Sequence, residues 1–205
     1  MKTYPSIDGH IVNHPIYAFD KLDGSNIRCE WSRKQGLHKF GSRRVLLGED
    51  HPHLGKAQGL VLETYGEDLP RIFVDERFQE VTCFFEFYGP NSFAGVHEQG
   101  DTHRVTLFDV NVYKKGMLGP REFLRAFEGR VPIPQMLYRG NPTEDFIQDV
   151  KRGTLQGMTF EGVVCKGAPL KNGYPPHAFK VKNLKWIEKV KALYGSDPAK
   201  LADLL

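Results

Sequence analysis

The sequence predicts an α+β fold, on three observations. Residues 17–40 hold three short strand-like runs separated by charged turns, the first apolar and the second alternating apolar with polar, the pattern of an antiparallel meander. Longer strand-like runs follow at 81–90 and, with alternation, at 104–112, with a last pair at 158–166 and 178–182. Helical stripes with their own start and stop signals occupy separate stretches, from 120, over 142–152 and over 184–194. At 205 residues and 40% hydrophobic content, the chain is read as one domain with a substantial core, its residues 184–205 forming a short helical extension.

Composition narrows the function classes. The 28 Lys and Arg against 25 Asp and Glu give a formal net charge of +3, too little to coat a nucleic acid, so a polyanion site has to be local. Cys29, Cys83 and Cys165 lie far apart in apolar or alternating runs without a Cys-x-x-Cys pair, which reads as reduced core thiols of a cytosolic protein. No signal region opens the chain, and no run approaches the roughly 20 apolar residues of a membrane helix. A soluble, cytoplasmic protein with no membrane contact is expected.

Residues 1–15, with Pro5, Gly9 and Pro15, read as an irregular lead-in. The first strand, over 17–21, delivers Lys21 into Asp20-Lys21-Leu22-Asp23-Gly24-Ser25-Asn26, the stretch around which the chain is organised. A lysine amine, with a pKa of about 10.4, attacks only where a metal or neighbouring cations lower that value. Gly24 would turn the backbone with positive φ and give a ligand close access to the main chain. On its own the heptapeptide also reads as a solvated Asp-Gly turn. Strands at 26–31 and 37–40 complete the meander, which ends at Gly41-Ser42-Arg43-Arg44. That arginine pair lies near Lys21 if the strands pair in order, or forms an exposed basic turn.

Residues 48–59 form a polar loop whose His51-Pro52-His53 is given no role, and 59–79 is weakly helical, broken at Gly66 and Pro70. In the strand over 81–90, Glu86 stands among aromatic and sulfur neighbours and faces either solvent or a ligand. Pro120 suits the first position of a helix buried through Phe123, Leu124 and Phe127, and Gly153 closes the helix over 142–152. The strand over 158–166 carries Glu161. In the next, alternation puts Lys180 and Lys182 on one face and Phe179 and Val181 on the other, a pairing of like charges that calls for an anion. The basic helix over 184–194 and a short one begun by Asp197-Pro198 end the chain.

A nucleophilic lysine, two carboxylates on strands, an arginine pair and a same-face lysine pair are the parts needed to attack the α-phosphate of a nucleotide and expel pyrophosphate. In order, Lys21-Leu22-Asp23-Gly24-Ser25-Asn26, Phe85-Glu86-Phe87-Tyr88-Gly89, Leu107-Phe108-Asp109-Val110, Glu161-Gly162-Val163-Val164 and Phe179-Lys180-Val181-Lys182 resemble motifs I, III, IIIa, IV and V of the covalent nucleotidyltransferases. That superfamily includes ATP-dependent DNA ligases, RNA ligases and mRNA capping enzymes. Asn26, where DNA ligases and capping enzymes usually carry arginine, and Gly41-Ser42-Arg43-Arg44 are similar to the RNA ligase 2-like branch.

The resemblance implies antiparallel sheets flanked by helices, with the nucleotide in a cleft between them; in a departure from the superfamily pattern, the stretch from Asn183 to Leu205 is expected to form two short helices and no OB domain. It implies an ATP-dependent RNA ligase using ATP and Mg²⁺ or Mn²⁺. Lys21 would form the lysine-adenylate. Lys180 and Lys182 would neutralise the α-phosphate, and Glu161 would hold the metal. Glu86 would accept from a ribose hydroxyl, and Phe108 and Val164 would sandwich adenine, although Phe108 equally suits simple packing. Asn26 and Arg43 would lie near sugar and phosphates, with Asp23, Gly24 and Lys166 completing the ATP site. RNA, as nicked duplex or single strand, is the expected partner, with DNA-containing strands and a helper protein left open. A DNA ligase, a guanylyltransferase, a binding module with a relict nucleotide site and a purely structural protein remain the alternatives.

Overall fold

A computed structural model of the chain describes residues 1–7, 9–48, 50–89, 100, 102–168 and 176–204. In chain order its elements are β1 (Ile16–Asp20), β2 (Ser25–Ser32), β3 (Gly36–Ser42), α1 (Gly55–Tyr65), α2 (Asp68–Asp75), β4 (Glu80–Tyr88), β5 (Arg104–Val112) and β6 (Gly116–Met117). There follow α3 (Pro120–Phe127), β7 (Met136–Gly140), α4 (Glu144–Arg152), β8 (Gly162–Lys166), β9 (Ala178–Lys182), α5 (Leu184–Tyr194) and α6 (Pro198–Leu204). They pack into two compact units. The first comprises Met1–Ser6, Gly24–Pro134 and Ala168–His177, and the second Ile7–Asp23, Gln135–Gly167 and Ala178–Leu205.

The first unit is built on a sheet of order β3-β2-β4-β5-β6 whose named strand pairs are all antiparallel. Alternation sends Ile27, Cys29 and Trp31 of β2 and Val81, Cys83, Phe85 and Phe87 of β4 into one core. Helices α1, α2 and α3 cover it through Ala57, Val61, Tyr65, Leu69, Ile72, Phe73, Phe123, Ala126 and Phe127. The inward positions of β5 change parity between Leu107 and Val110. There the pairing steps from Phe84↔Asp109 to Phe85↔Leu107, so Phe108 is the extra residue of a bulge. The helical stretch differs from expectation at both ends, starting at Gly55, inside the expected loop, and closing at Asp75 rather than at 79. Pro70 is not a break but lies in the first turn of α2, where a missing N–H leaves no helical bond unmade.

The second unit holds a sheet of order β7-β1-β8-β9, again with antiparallel pairs. Its smaller core joins Ile16, Ala18, Val163, Cys165, Phe179 and Val181 to Phe146, Ile147 and Val150 of α4. Thr143 caps α4 by accepting from Phe146 N, and Asn183 caps α5 by accepting from Lys185 N. Strand β7, absent from the sequence reading, is half-buried along most of its length and carries no alternation to announce it. Strand β8 starts at Gly162 rather than at 158, leaving Glu161 in the bend that feeds it. Among the described residues, no helix is long and apolar enough to cross a membrane.

Candidate active site

In the second unit the end of β1 organises a cluster of charges. The main chain is fixed first: Asp20 N donates to Gln135 O at 2.9 Å and Lys21 N to Gly162 O at 3.0 Å. The Asp20 side chain, 6% exposed, accepts through Oδ1 from Thr159 N at 3.0 Å and Thr159 Oγ1 at 3.1 Å. Burial raises its carboxyl above the ordinary value, although the Thr159 bonds and the Lys21 charge pull the other way. Those bonds tie the first strand to the bend that presents Glu161.

Glu161, 4% exposed, stands between two ammonium groups. Its Oε2 is 2.9 Å from Lys21 Nζ, and its Oε1 is 3.2 Å from Lys182 Nζ. Gly162 makes this approach feasible. It has φ of +136°, and a Cβ there would stand 2.2 Å from Val181 O. The Lys182 side chain is 8% exposed and that of Lys21 21%, so Lys21 is the member open to a ligand. Burial pushes Lys182 down to about 8, opposed by Glu161 and reinforced by Lys21. Strand β9 alternates as expected: Phe179 and Val181 enter the core while Lys180 and Lys182 lie on the opposite face. The Lys182 ammonium also lies 4.0 Å from the centroid of the Trp186 ring and donates to Leu204 O.

The remaining predicted residues of this unit are placed as follows. Val164 on β8 is half-buried, paired with Phe19 and Lys180, and Asp23 is half-buried after β1. Lys166 is only 7% exposed, with its Nζ 5.4 Å from the Phe19 ring. It is therefore an interior residue.

The first unit carries the others. Asn26 on β2 lies directly across from Glu86 on β4, and its Oδ1 is buried with no hydrogen-bond partner among the described residues. A buried acceptor left in that condition is costly unless a ligand donates to it. The bulge at Phe108 leaves its half-buried ring against Tyr4, edge-on at 4.9 Å, and Phe84, tilted at 6.4 Å. Gly24 does not have positive φ, contrary to expectation. A Cβ there would stand 2.3 Å from Phe87 O, so close strand approach is what demands glycine. Arg43 and Arg44 are exposed in the turn after β3.

Sequence reasoning missed the tethering of Asp20 to Thr159, the packing of Tyr4 on Phe108 and the Trp186 ring at Lys182. A carboxylate closing the apolar run from Ile16 to Phe19 was the available signal for the first. Tyr4 and Trp186 gave none, because long-range contacts leave no local periodicity.

No protein-family model matches the sequence, and no curated protein matches it significantly. Solved structures do match. An archaeal ATP-dependent RNA ligase aligns with a TM-score of 0.65 at 18% identity, covering 97% of this chain and 52% of that one. Naegleria gruberi RNA ligase with PPi aligns at 0.62 and 15% identity, covering 88% of this chain and 52% of that one. A mutant of the same ligase with ATP and Mn aligns at 0.58 and 14% identity, covering 86% and 51%. The chain thus has the α+β fold of these RNA ligases, two antiparallel sheets with flanking helices, and spans about half their length.

Proposed function

We propose that the chain is an ATP-dependent RNA ligase that joins 5′-phosphate and 3′-hydroxyl ends through a covalent lysine-adenylate and an adenylated 5′-phosphate. The observation that carries this reading is the Lys21–Glu161–Lys182 cluster, with the more exposed lysine at the end of β1. In the first step the neutral amine of Lys21 attacks the α-phosphorus of ATP. The N–P bond forms as the bond to the bridging oxygen breaks, pyrophosphate leaves, and the nitrogen sheds a proton. A polynucleotide 5′-phosphate oxygen then displaces Lys21 and takes the adenylate. Finally a 3′-hydroxyl attacks that phosphate, loses its proton and expels AMP.

Lys182 and Lys180 stabilise negative charge as it develops at the transferring phosphate, commonly the largest catalytic term. In its resting contact Glu161 holds the Lys21 ammonium at 2.9 Å, a position from which the carboxylate can take the amine's proton. On the first unit, Glu86 and the unpartnered Asn26 oxygen suit ribose hydroxyls, Phe108 suits adenine and Arg43 suits phosphate. On the second, Val164 suits the base, and Asp23 and Lys166 complete the assignment. Gly24 serves by close backbone packing.

Mg²⁺ or Mn²⁺ is implied by the fold. The single carboxylate of Glu161 fits an ion that keeps several waters and takes few protein carboxylates alongside substrate phosphates. No cluster of three or more metal-ligating side chains exists among the described residues. When bound, such an ion supplies positive charge that favours the neutral form of Lys21 and offsets phosphate charge.

For RNA, the reading assigns the exposed Arg43, Arg44, Lys185, Lys189 and Lys191. So few contacts predict weak binding, with a slope of log affinity against log salt of roughly −3 to −5. The test of the reading is the intact mass of the protein after incubation with ATP and a divalent metal. A discrete adduct of one AMP is expected in the wild type and none in Lys21→Ala, which should stay folded because its lysine packs little. Transfer of labelled AMP to RNA but not to DNA separates this reading from a DNA ligase.

A further inference from the structure

We propose that Trp186, outside every motif read from the sequence, is a positioning residue of the adenylation centre whose ring holds the Lys182 ammonium where the transferring phosphate is met. The inference rests on the reading of Lys182 given above, and it makes α5 part of the catalytic centre as well as a basic surface.

Lys182 is the last residue of β9, and α5 brings Trp186 back beneath it within one helical turn. The ring is 1% exposed and its centroid lies 4.0 Å from Lys182 Nζ, well inside the reach of a cation–π attraction. Tryptophan is the strongest aromatic partner for a cation, and desolvation puts the contact at the strong end of its range. The turn between strand and helix is locked as well. Asn183, 3% exposed, donates its backbone N–H to Glu161 O at 3.0 Å while its side chain caps α5. The helix that carries Trp186 is thereby tied to the backbone of the residue that bridges both lysines.

A flexible four-carbon stem needs more than one contact to hold its charge in place. Glu161 provides one and Leu204 O accepts from the same ammonium, but a carboxylate cancels the charge it holds and is itself the group suited to a metal. The indole face holds a cation without neutralising it. If Glu161 turns to other partners during the reaction, Trp186 keeps the Lys182 charge aimed and unspent. Leucine at this position would still fill the core without attracting the ammonium.

The test uses the whole chain as wild type, Trp186→Phe and Trp186→Leu, each first shown by thermal melt to be folded. Single-turnover lysine-adenylate formation gives rate and ATP affinity separately. Independently, lysine carrying ¹³C at Cε reports the ring current on Lys182, its signal assigned with Lys182→Arg. The expected result is an upfield Lys182 signal in the wild type, lost in the leucine variant and partly kept with phenylalanine. In step with it, the maximal rate falls about tenfold for leucine, recovers substantially for phenylalanine, and ATP affinity changes less than threefold. A wild-type rate in a folded leucine variant, or a loss confined to ATP affinity, overturns the proposal while leaving the ligase reading intact. A wild-type Lys182 signal with no upfield shift overturns it on structural grounds whatever the activity. Absence of any adenylate in the wild type fails the ligase reading, and the catalytic role of Trp186 with it.

Discussion

The two units treat buried charge differently. In the first, the buried Arg28 gives its donors to backbone carbonyls, to Ser42 O at 2.6 Å and Lys2 O at 3.0 Å. Asp109, 2% exposed, accepts from the Tyr4 hydroxyl and from Val110 N, both at 3.0 Å. In the second, Glu161 is shared by two ammonium groups and Asp20 lies beside one of them. Charge satisfied by neutral dipoles is fixed in place and serves the fold. Charge satisfied by another mobile charge can be handed to a substrate, and that exchange is what group transfer requires. On the proposed reading, the chemistry sits in the unit with the smaller core, on a strand anchored from several sides.

The comparison is broken most severely through the aromatic core of the first unit. Phe85, fully buried and with its ring 5.1 Å from that of Tyr65, should lose about 3 to 5 kcal/mol on Phe85→Ala, read by urea denaturation. In the second unit Glu161→Ala removes the carboxylate that two ammonium groups share and should cost about 3 kcal/mol, the low end for a broken buried pair because Lys21 reaches solvent. Adding Lys182→Met to that variant should recover part of the loss, since the desolvated cation is removed. A double variant no more stable than the single one would show that the charges of this unit are not coupled as described. Gly24→Ala should cost about 1 to 3 kcal/mol by forcing β2 from Phe87 O, and a melt unchanged from wild type would contradict the close approach.

The smallest effect is one of pH. Burial raises the thiols of Cys29 and Cys83 in the first unit well above their usual range, and that of Cys165 in the second to about 12. An unfolded cysteine releases its proton near about 8.5, so above that pH the folded state binds more protons and stability falls as pH rises. Denaturation midpoints should decline between about pH 8.5 and 10, less steeply in Cys83→Ala, and the native thiols should resist a disulfide reagent at pH 8.

Much of this was legible in the sequence because it follows from period-two alternation. The bounds of β5 and β9 and the separation of Lys180 and Lys182 from Phe179 and Val181 are local consequences of the pleat. What escaped depends on partners far along the chain. Strand β7 pairs with β1 across more than a hundred residues, and its half-buried residues carry no stripe. The demand for glycine at position 24 comes from the carbonyl of Phe87, and no inspection of an Asp-Gly pair can distinguish that from a left-handed turn. The closeness of Lys21, Glu161 and Lys182 was expected from the resemblance of their motifs. The structure adds that one carboxylate serves both lysines.

The central claim, that Lys21 is the nucleophile of an adenylation centre, is tested most directly by locating the adduct. The protein is incubated with ATP and Mn²⁺, digested under alkaline conditions that preserve a phosphoramidate, and mapped by mass spectrometry. AMP on the peptide containing Lys21, and absent when pyrophosphate is added in excess to drive the step backwards, is the predicted result. AMP on any other lysine, or an adduct that persists in Lys21→Ala, would contradict it.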